Sequence, residues 1–233
     1  MTRLVLFDID GTILLSDGAG RRAILAALTR QYGSCEAWGA VRFDGKTDPQ
    51  ILLELLAAAG HQADAAKIGA HVAELGRDYV TLLRQELAKP GHQTTIMPGI
   101  PNLLDQVEAT QGAILGLLTG NFVEGAGLKL RSGGIDPSRF RVGAYGSDSA
   151  HRSELPPIAA QRAAELFGRV PTGHEVVIVG DTPADVACGR SIGARAIAVA
   201  TGHYSVAELE AAGAVAAFEN FSETGAVMEA IFG

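Results

Sequence analysis

Cysteine is nearly absent from this chain: Cys35 and Cys188 are the only two in 233 residues. Two distant thiols make no disulfide framework, and they read as the reduced thiols of a cytoplasmic protein. Long apolar runs are missing as well. Nothing approaches the roughly 18 consecutive apolar residues of a membrane span. The amino-terminal apolar run, Leu4 to Phe7, is short and meets two acids, so no secretory signal fits. Positive charge is scarce: 19 Lys and Arg stand against 26 Asp and Glu, for a net charge of −7. That balance lacks the basic footprint of a nucleic-acid partner. It also means that an anionic substrate must be drawn in by local cations or a metal. No internal repeat is visible.

What is present is organised around Leu4-Val5-Leu6-Phe7-Asp8-Ile9-Asp10-Gly11-Thr12. Four apolar residues predict a strand buried on both faces, ending where the acids begin. In open parallel sheets ligands bind beyond the carboxyl ends of strands, and alternation points Asp8 and Asp10 the same way. The chain then turns helical. Ile24, Leu25, Leu28 and Tyr32 keep a helical period, Thr47-Asp48-Pro49 caps a helix through Ala59, and a longer helix is predicted over 63–88. From Pro98 onward strands and helices alternate, with strands expected at 113–118, 141–145, 175–179, 196–199 and 215–218. The pattern predicts an α/β fold: a doubly wound, Rossmann-like parallel sheet over 1–14 and 91–233, with a small α-helical domain over 15–90 inserted after the first strand. A 47% hydrophobic content is enough to fill such a core.

Three of the strands end in polar triplets: Asp8-Ile9-Asp10, Thr119-Gly120-Asn121 and Gly180-Asp181-Thr182. Taken singly, each is a turn or a helix cap. Side by side, they gather carboxylates that repel one another unless a cation joins them. An all-oxygen set suits Mg²⁺, which leaves positions for water and substrate phosphate. A phosphate could then reach the metal, the Thr119 hydroxyl and the N–H groups of Gly120 and Asn121 at a helix start.

These motifs, in this order and with Gly180-Asp181-Thr182-Pro183-Ala184-Asp185 as the last, resemble the haloacid dehalogenase-like hydrolases. The helical insertion is similar to the cap of the phosphoglycolate phosphatase-like group. The resemblance implies a phosphatase acting on a small phosphorylated metabolite. Asp8 would be the nucleophile and Asp10 the acid and base, with Asp8, Asp10 (through its carbonyl), Asp181 and Asp185 around Mg²⁺. Thr119 would hold a phosphoryl oxygen, with Gly11, Thr12, Gly120 and Asn121 around the phosphate. A sugar-phosphate mutase of the same family and a non-catalytic phospho-ligand sensor are the alternatives.

The chain departs from the family at one point. A lysine usually precedes the helix before the last motif, and none of Lys46, Lys67, Lys89 and Lys129 lies there. Glu154 takes the aligned slot, and Arg152, two residues earlier, is the nearest cation and the expected replacement. Lys46, in the inserted domain, is expected to reach the substrate's far end, with Arg21 or Arg22 as further contacts. Gly45-Lys46-Thr47 is not a P-loop, because five residues instead of the usual four separate Gly39 from Gly45. The six histidines show no metal-ligand spacing. The cap stripes first serve as core, and either a monomer or a homodimer is compatible with them.

Overall fold

The computed structural model describes residues 2–61 and 68–233. Strand β1 (Arg3–Phe7) is buried along its whole length. A two-residue strand, β2 (Leu14–Leu15), follows, and then helices α1 (Ala19–Tyr32), α2 (Asp48–Ala58) and α3 (Ile68–Leu87). The expected start of the third helix, 63–67, lies outside the described residues. The chain returns through β3 (Thr95–Ile96) and continues as α4 (Ile100–Ala109), β4 (Ala113–Thr119), α5 (Val123–Ser132) and β5 (Val142–Tyr145). Then come α6 (Leu155–Phe167), β6 (Val176–Gly180), α7 (Pro183–Cys188), β7 (Arg195–Val199), α8 (Val206–Ala211), β8 (Ala216–Phe218) and α9 (Thr224–Phe232).

Six strands form one parallel sheet in the order β5-β4-β1-β6-β7-β8. The run Leu4 to Phe7 is uniformly apolar because β1 is central and covered on both faces. Val5 and Phe7 pack with Leu103, Leu104 and Ile231 on one side. Leu4 and Leu6 pack with Leu155 and Ala159 on the other. Strand order reverses at β1: β4 and β5 extend one way, and β6, β7 and β8 the other. A crevice therefore opens beyond the carboxyl ends of β1, β4 and β6, the switch point of the doubly wound fold.

Helices α1, α2 and α3 form a bundle with an apolar cluster of its own, including Ile24, Leu28, Leu52, Leu55, Leu75 and Leu83. Thr47 caps α2 by accepting from the Gln50 N–H at 3.2 Å, with Pro49 in the first turn, as the sequence predicts. The two connections to the sheet are not free linkers. Leu14–Leu15 pairs antiparallel with Thr95–Ile96, a ribbon too short to leave a period in the sequence.

The bundle is also hydrogen-bonded onto the sheet's loops. Asp48 N–H donates to Gly120 O at 2.7 Å, and the Thr47 hydroxyl donates to Ala150 O at 2.7 Å. A side chain on Gly120 would collide with Lys46 O at 2.2 Å, so glycine there is what permits this approach. Cys35 and Cys188 are free thiols. Among the described residues no helix is long and apolar enough to cross a membrane.

Candidate active site

The first two residues after β1 begin the site. Asp8 N–H donates to Val179 O at 2.9 Å, which sets its buried carboxylate between β1 and β6. Asp181 follows β6 directly, and Asp185 lies in the first turn of α7. One oxygen from each of Asp8, Asp181 and Asp185 falls within 4.8 Å of the others. The Thr182 hydroxyl and N–H both donate to Asp185 Oδ2, at 2.6 and 3.0 Å, so the cap of α7 also fixes a site carboxylate.

Arg152, the expected replacement for the family's lysine, lies beside this carboxylate cluster. It sits in a single helical turn ahead of α6, is 7% exposed, and points its guanidinium inward. One nitrogen lies 3.1 Å from Asp8 Oδ2 and also donates to Asp185 Oδ1. Glu154, the residue in the aligned slot, is exposed and accepts from the Ser149 hydroxyl at 2.6 Å.

Three buried carboxylates around one guanidinium leave an excess of negative charge. Burial, aided by the charges of Asp185 and Asp10, pushes Asp8 up to about 6 despite Arg152 beside it. Asp181 is pushed well above the usual carboxylate range by burial, and then by Asp185 and Asp8. Arg152 goes the other way: burial opposes its charge, but Asp185 and Asp8 outweigh burial and raise its pKa. A cluster of carboxylate oxygens held this close, with its charge only partly offset, fits a hard divalent cation.

Gly11 and Thr12, expected around the phosphate, both contact Asp181 of this cluster. Gly11 has φ +83°, and a Cβ there would lie 2.3 Å from Asp181 Oδ2. Its N–H is already donated to Leu14 O at 2.9 Å. The buried Thr12 hydroxyl donates to Asp181 Oδ1 at 3.2 Å. Both roles follow from the tight turn after Asp10, which folds back to Leu14.

The other half of the site lies beyond β4. Thr119 ends that strand, fully buried. The Asn121 side-chain amide donates to the Thr119 hydroxyl at 2.7 Å and to Asp10 Oδ2 at 2.8 Å. The Asn121 side chain thus joins Thr119 to Asp10, while its N–H donates to the Thr119 hydroxyl at 3.4 Å. Lys129, from the second turn of α5, reaches the same group. Its ammonium donates to Asp10 Oδ1 at 2.8 Å, Asp10 Oδ2 at 2.6 Å and Asn121 Oδ1 at 2.6 Å. The sequence reading noted Lys129 only as lying outside the family's lysine position. One signal was available: Lys129 falls on the same helix face as Ala126 and Leu130, where a lysine is buried only if it is paired.

Asp48 was read as part of a helix start and nothing more. Its buried carboxylate accepts the Phe122 N–H at 2.8 Å, and Tyr79 lines the same cavity. Burial pushes Asp48 up to about 6, with the Lys129 charge pulling the other way. These groups face a cavity of about 240 Å³, whose far wall includes Arg21, Phe43 and Lys46. The Arg21 guanidinium lies 4.4 Å over the Phe43 ring. Lys46 lines the cavity but its ammonium pairs with Glu54 at 2.5 Å. Arg22 turns outward to Glu86 at 2.8 Å.

Residues 2–193 match the haloacid dehalogenase-like hydrolase family. The chain belongs to that family. As a haloacid dehalogenase-like hydrolase it shares its fold with solved structures of low identity. One is a hydrolase from Pseudomonas syringae, 20% identical, with TM-score 0.73 and 100% of both chains covered. Another is CbbY from Rhodobacter sphaeroides in complex with phosphate, 20% identical, with TM-score 0.71 and 97% of each chain covered. A third is described as a predicted phosphoglycolate phosphatase from Haemophilus somnus, 19% identical, with TM-score 0.67, covering 97% of this chain and 98% of that one. No curated protein sequence matches the chain.

Proposed function

We propose that this hydrolase is a Mg²⁺-dependent phosphomonoesterase that cleaves a small phosphorylated metabolite through an aspartyl phosphate on Asp8. The observation that carries the reading is the position of Asp8: a buried carboxylate at the end of the central strand, 3.1 Å from Arg152 and facing the cavity shared with Asp10 and Thr119. Asp8 attacks phosphorus as the bond to the leaving oxygen breaks, and Asp10 gives its proton to that oxygen. Water then attacks the aspartyl phosphate and returns a proton to Asp10, and the bond from phosphorus to Asp8 breaks. Thr119 and the N–H groups of Gly120 and Asn121 hold phosphoryl oxygens as charge develops on them. Arg152 steadies Asp8 and offsets the charge of Asp185.

Asp8, Asp181 and the Asp10 carbonyl would hold Mg²⁺, with Asp185 in support. When bound, the ion supplies the positive charge that lets a phosphate approach carboxylates. Residues 15–90 act as a cap that admits substrate when raised and excludes water when seated on the Gly120 loop.

The test is release of nitrophenol from nitrophenyl phosphate, together with mass spectrometry of acid-quenched enzyme. Turnover that requires Mg²⁺, stops with chelator and leaves a phosphoryl group on Asp8 is expected. Turnover indifferent to chelation, or a phosphoryl group on another residue, refutes the reading.

A further inference from the structure

Lys129 and Asp48 are buried charges that the proposed chemistry does not itself use, and they sit on either side of the join between cap and core. We infer that Lys129 is a positioning residue that aims Asp10, and that Asp48 and Tyr79 hold Lys129 in place only while the cap is seated. This rests on the reading of Asp10 as the proton donor to the leaving group.

Three donors converge on Asp10, and they leave one place open. Oδ2 accepts from both Lys129 and Asn121, at 2.6 and 2.8 Å. Oδ1 accepts from Lys129 alone, at 2.8 Å. Each carboxylate oxygen has two acceptor positions, so the second position on Oδ1 is where a proton is carried and delivered. A lysine can only donate, so Asn121 must turn its carbonyl to Lys129 and its amide to Asp10 and Thr119. Lys129 therefore orients Asp10 directly and again through Asn121. Asp10 needs such a hold, because its side chain is 41% exposed whereas that of Lys129 is 6% exposed.

The cap supplies what keeps Lys129 there. Asp48, in the first turn of α2, accepts the Phe122 N–H at the start of α5, and Tyr79 of α3 lines the same cavity. Asp48 and Lys129 line one cavity, and the Lys129 charge pulls against the burial that raises Asp48. From α1, Gly20 approaches so closely that a Cβ on it would lie 3.3 Å from the ammonium nitrogen. All three cap helices thus box in one core lysine. A raised cap removes Asp48 and the walls, admits water to the ammonium, and frees Asp10 to turn toward solvent. The acid is aimed only in the closed enzyme.

The test compares kcat for an alkyl phosphate, whose leaving group needs a proton, with kcat for nitrophenyl phosphate, whose leaving group does not. Lys129→Met keeps the length and deletes the donors. It should slow the alkyl ester on the order of 10²-fold and the nitrophenyl ester by no more than about threefold. Asp48→Asn should give the same split at smaller size, and should cost nothing further when added to Lys129→Met. Equal slowing of both esters by Lys129→Met makes Lys129 mere packing and overturns the inference. Additive losses in the double variant overturn the coupling to the cap. Should Lys129→Met fail to fold, Gly20→Ala decides. It crowds the ammonium while improving helix propensity, and a split of about threefold to tenfold is expected; no split overturns the inference. Asp10→Asn is the control: if it slows both esters alike, the acid reading of Asp10 fails, whatever Lys129 shows.

Discussion

Two groups of carboxylates meet at one cavity, and among the described residues each has a single cation. Asp8, Asp181 and Asp185 have Arg152; Asp10 and Asp48 have Lys129. The cations suit their tasks. One guanidinium nitrogen meets two carboxylates, while an ammonium with three donors gathers acceptors around a point. The difference lies in how many acids each cation meets. Three acids face the arginine, and two of them are pushed up by burial and mutual repulsion. Two acids face the lysine: Asp10 accepts from Lys129 and Asn121, and Asp48, pushed up to about 6 by burial, accepts the Phe122 N–H. The three-acid end fits a cation.

The largest test of that contrast removes the nucleophile. Asp8→Asn should abolish turnover, by roughly 10⁴-fold or more, while the protein stays folded, because shape is kept and one of three repelling charges is gone. Initial rates and a melting curve measured together check this; retention of most activity would sink the covalent route.

Next comes the bridge. Arg152→Ala should cost on the order of 10²-fold in kcat. It should also destabilise the metal-free protein, since Asp8 and Asp185 lose their partner. Arg152→Lys should restore only part, because the shorter side chain brings its charge up short of where the guanidinium nitrogen meets both carboxylates. Full rescue by lysine would show that charge alone is needed.

Metal then discriminates between the two ends. At about a hundredfold excess over its Kd, Mg²⁺ should stabilise the protein by about 2.7 kcal/mol. Asp181→Asn should remove most of this gain, and Asp48→Asn should leave it intact. A melting series with and without Mg²⁺ checks it, and equal loss in the two variants would erase the distinction.

A smaller effect is expected from pH. Asp48 is raised from 3.8 to about 6, so between those values the folded chain keeps a proton that the unfolded chain has released. Its contribution to stability therefore falls as pH climbs from 3.8 to about 6 and stays low above. Asp48→Asn should flatten that limb and stabilise the protein at neutral pH by about 3 kcal/mol, measured as urea midpoints against pH. An unchanged slope would place the titration elsewhere. Smallest of all should be Lys46→Ala. With its ammonium on Glu54, Lys46 should shift substrate ranking little and stability by less than about 1 kcal/mol. A reordering of substrates would return Lys46 to the substrate.

Much of the fold was legible because its signals are local. An apolar run ending in Asp8 marks a buried central strand, a three-to-four-residue period marks α1, and Thr47 before Pro49 marks the start of α2. The same holds for the carboxylates: each ends a strand or opens a helix, and parallel neighbours bring such ends together. Arg152 was within reach of this logic, because a guanidinium can come from two residues before the usual place. The ribbon between Leu14–Leu15 and Thr95–Ile96 was not, since two residues carry no period. Nor were the tasks of Gly11 and Thr12, which depend on where Asp181 arrives.

By itself, then, the sequence determined strand ends, helix starts and the acids placed at them, because period and turn chemistry act over a few residues. Only the tertiary structure decided which charge meets which. Lys129 is 119 residues from Asp10, and Asp48 is 74 residues from Phe122. No local pattern joins them. They meet because the cap helices settle on the sheet's loops, where burial makes every unpaired charge costly and so selects the partners.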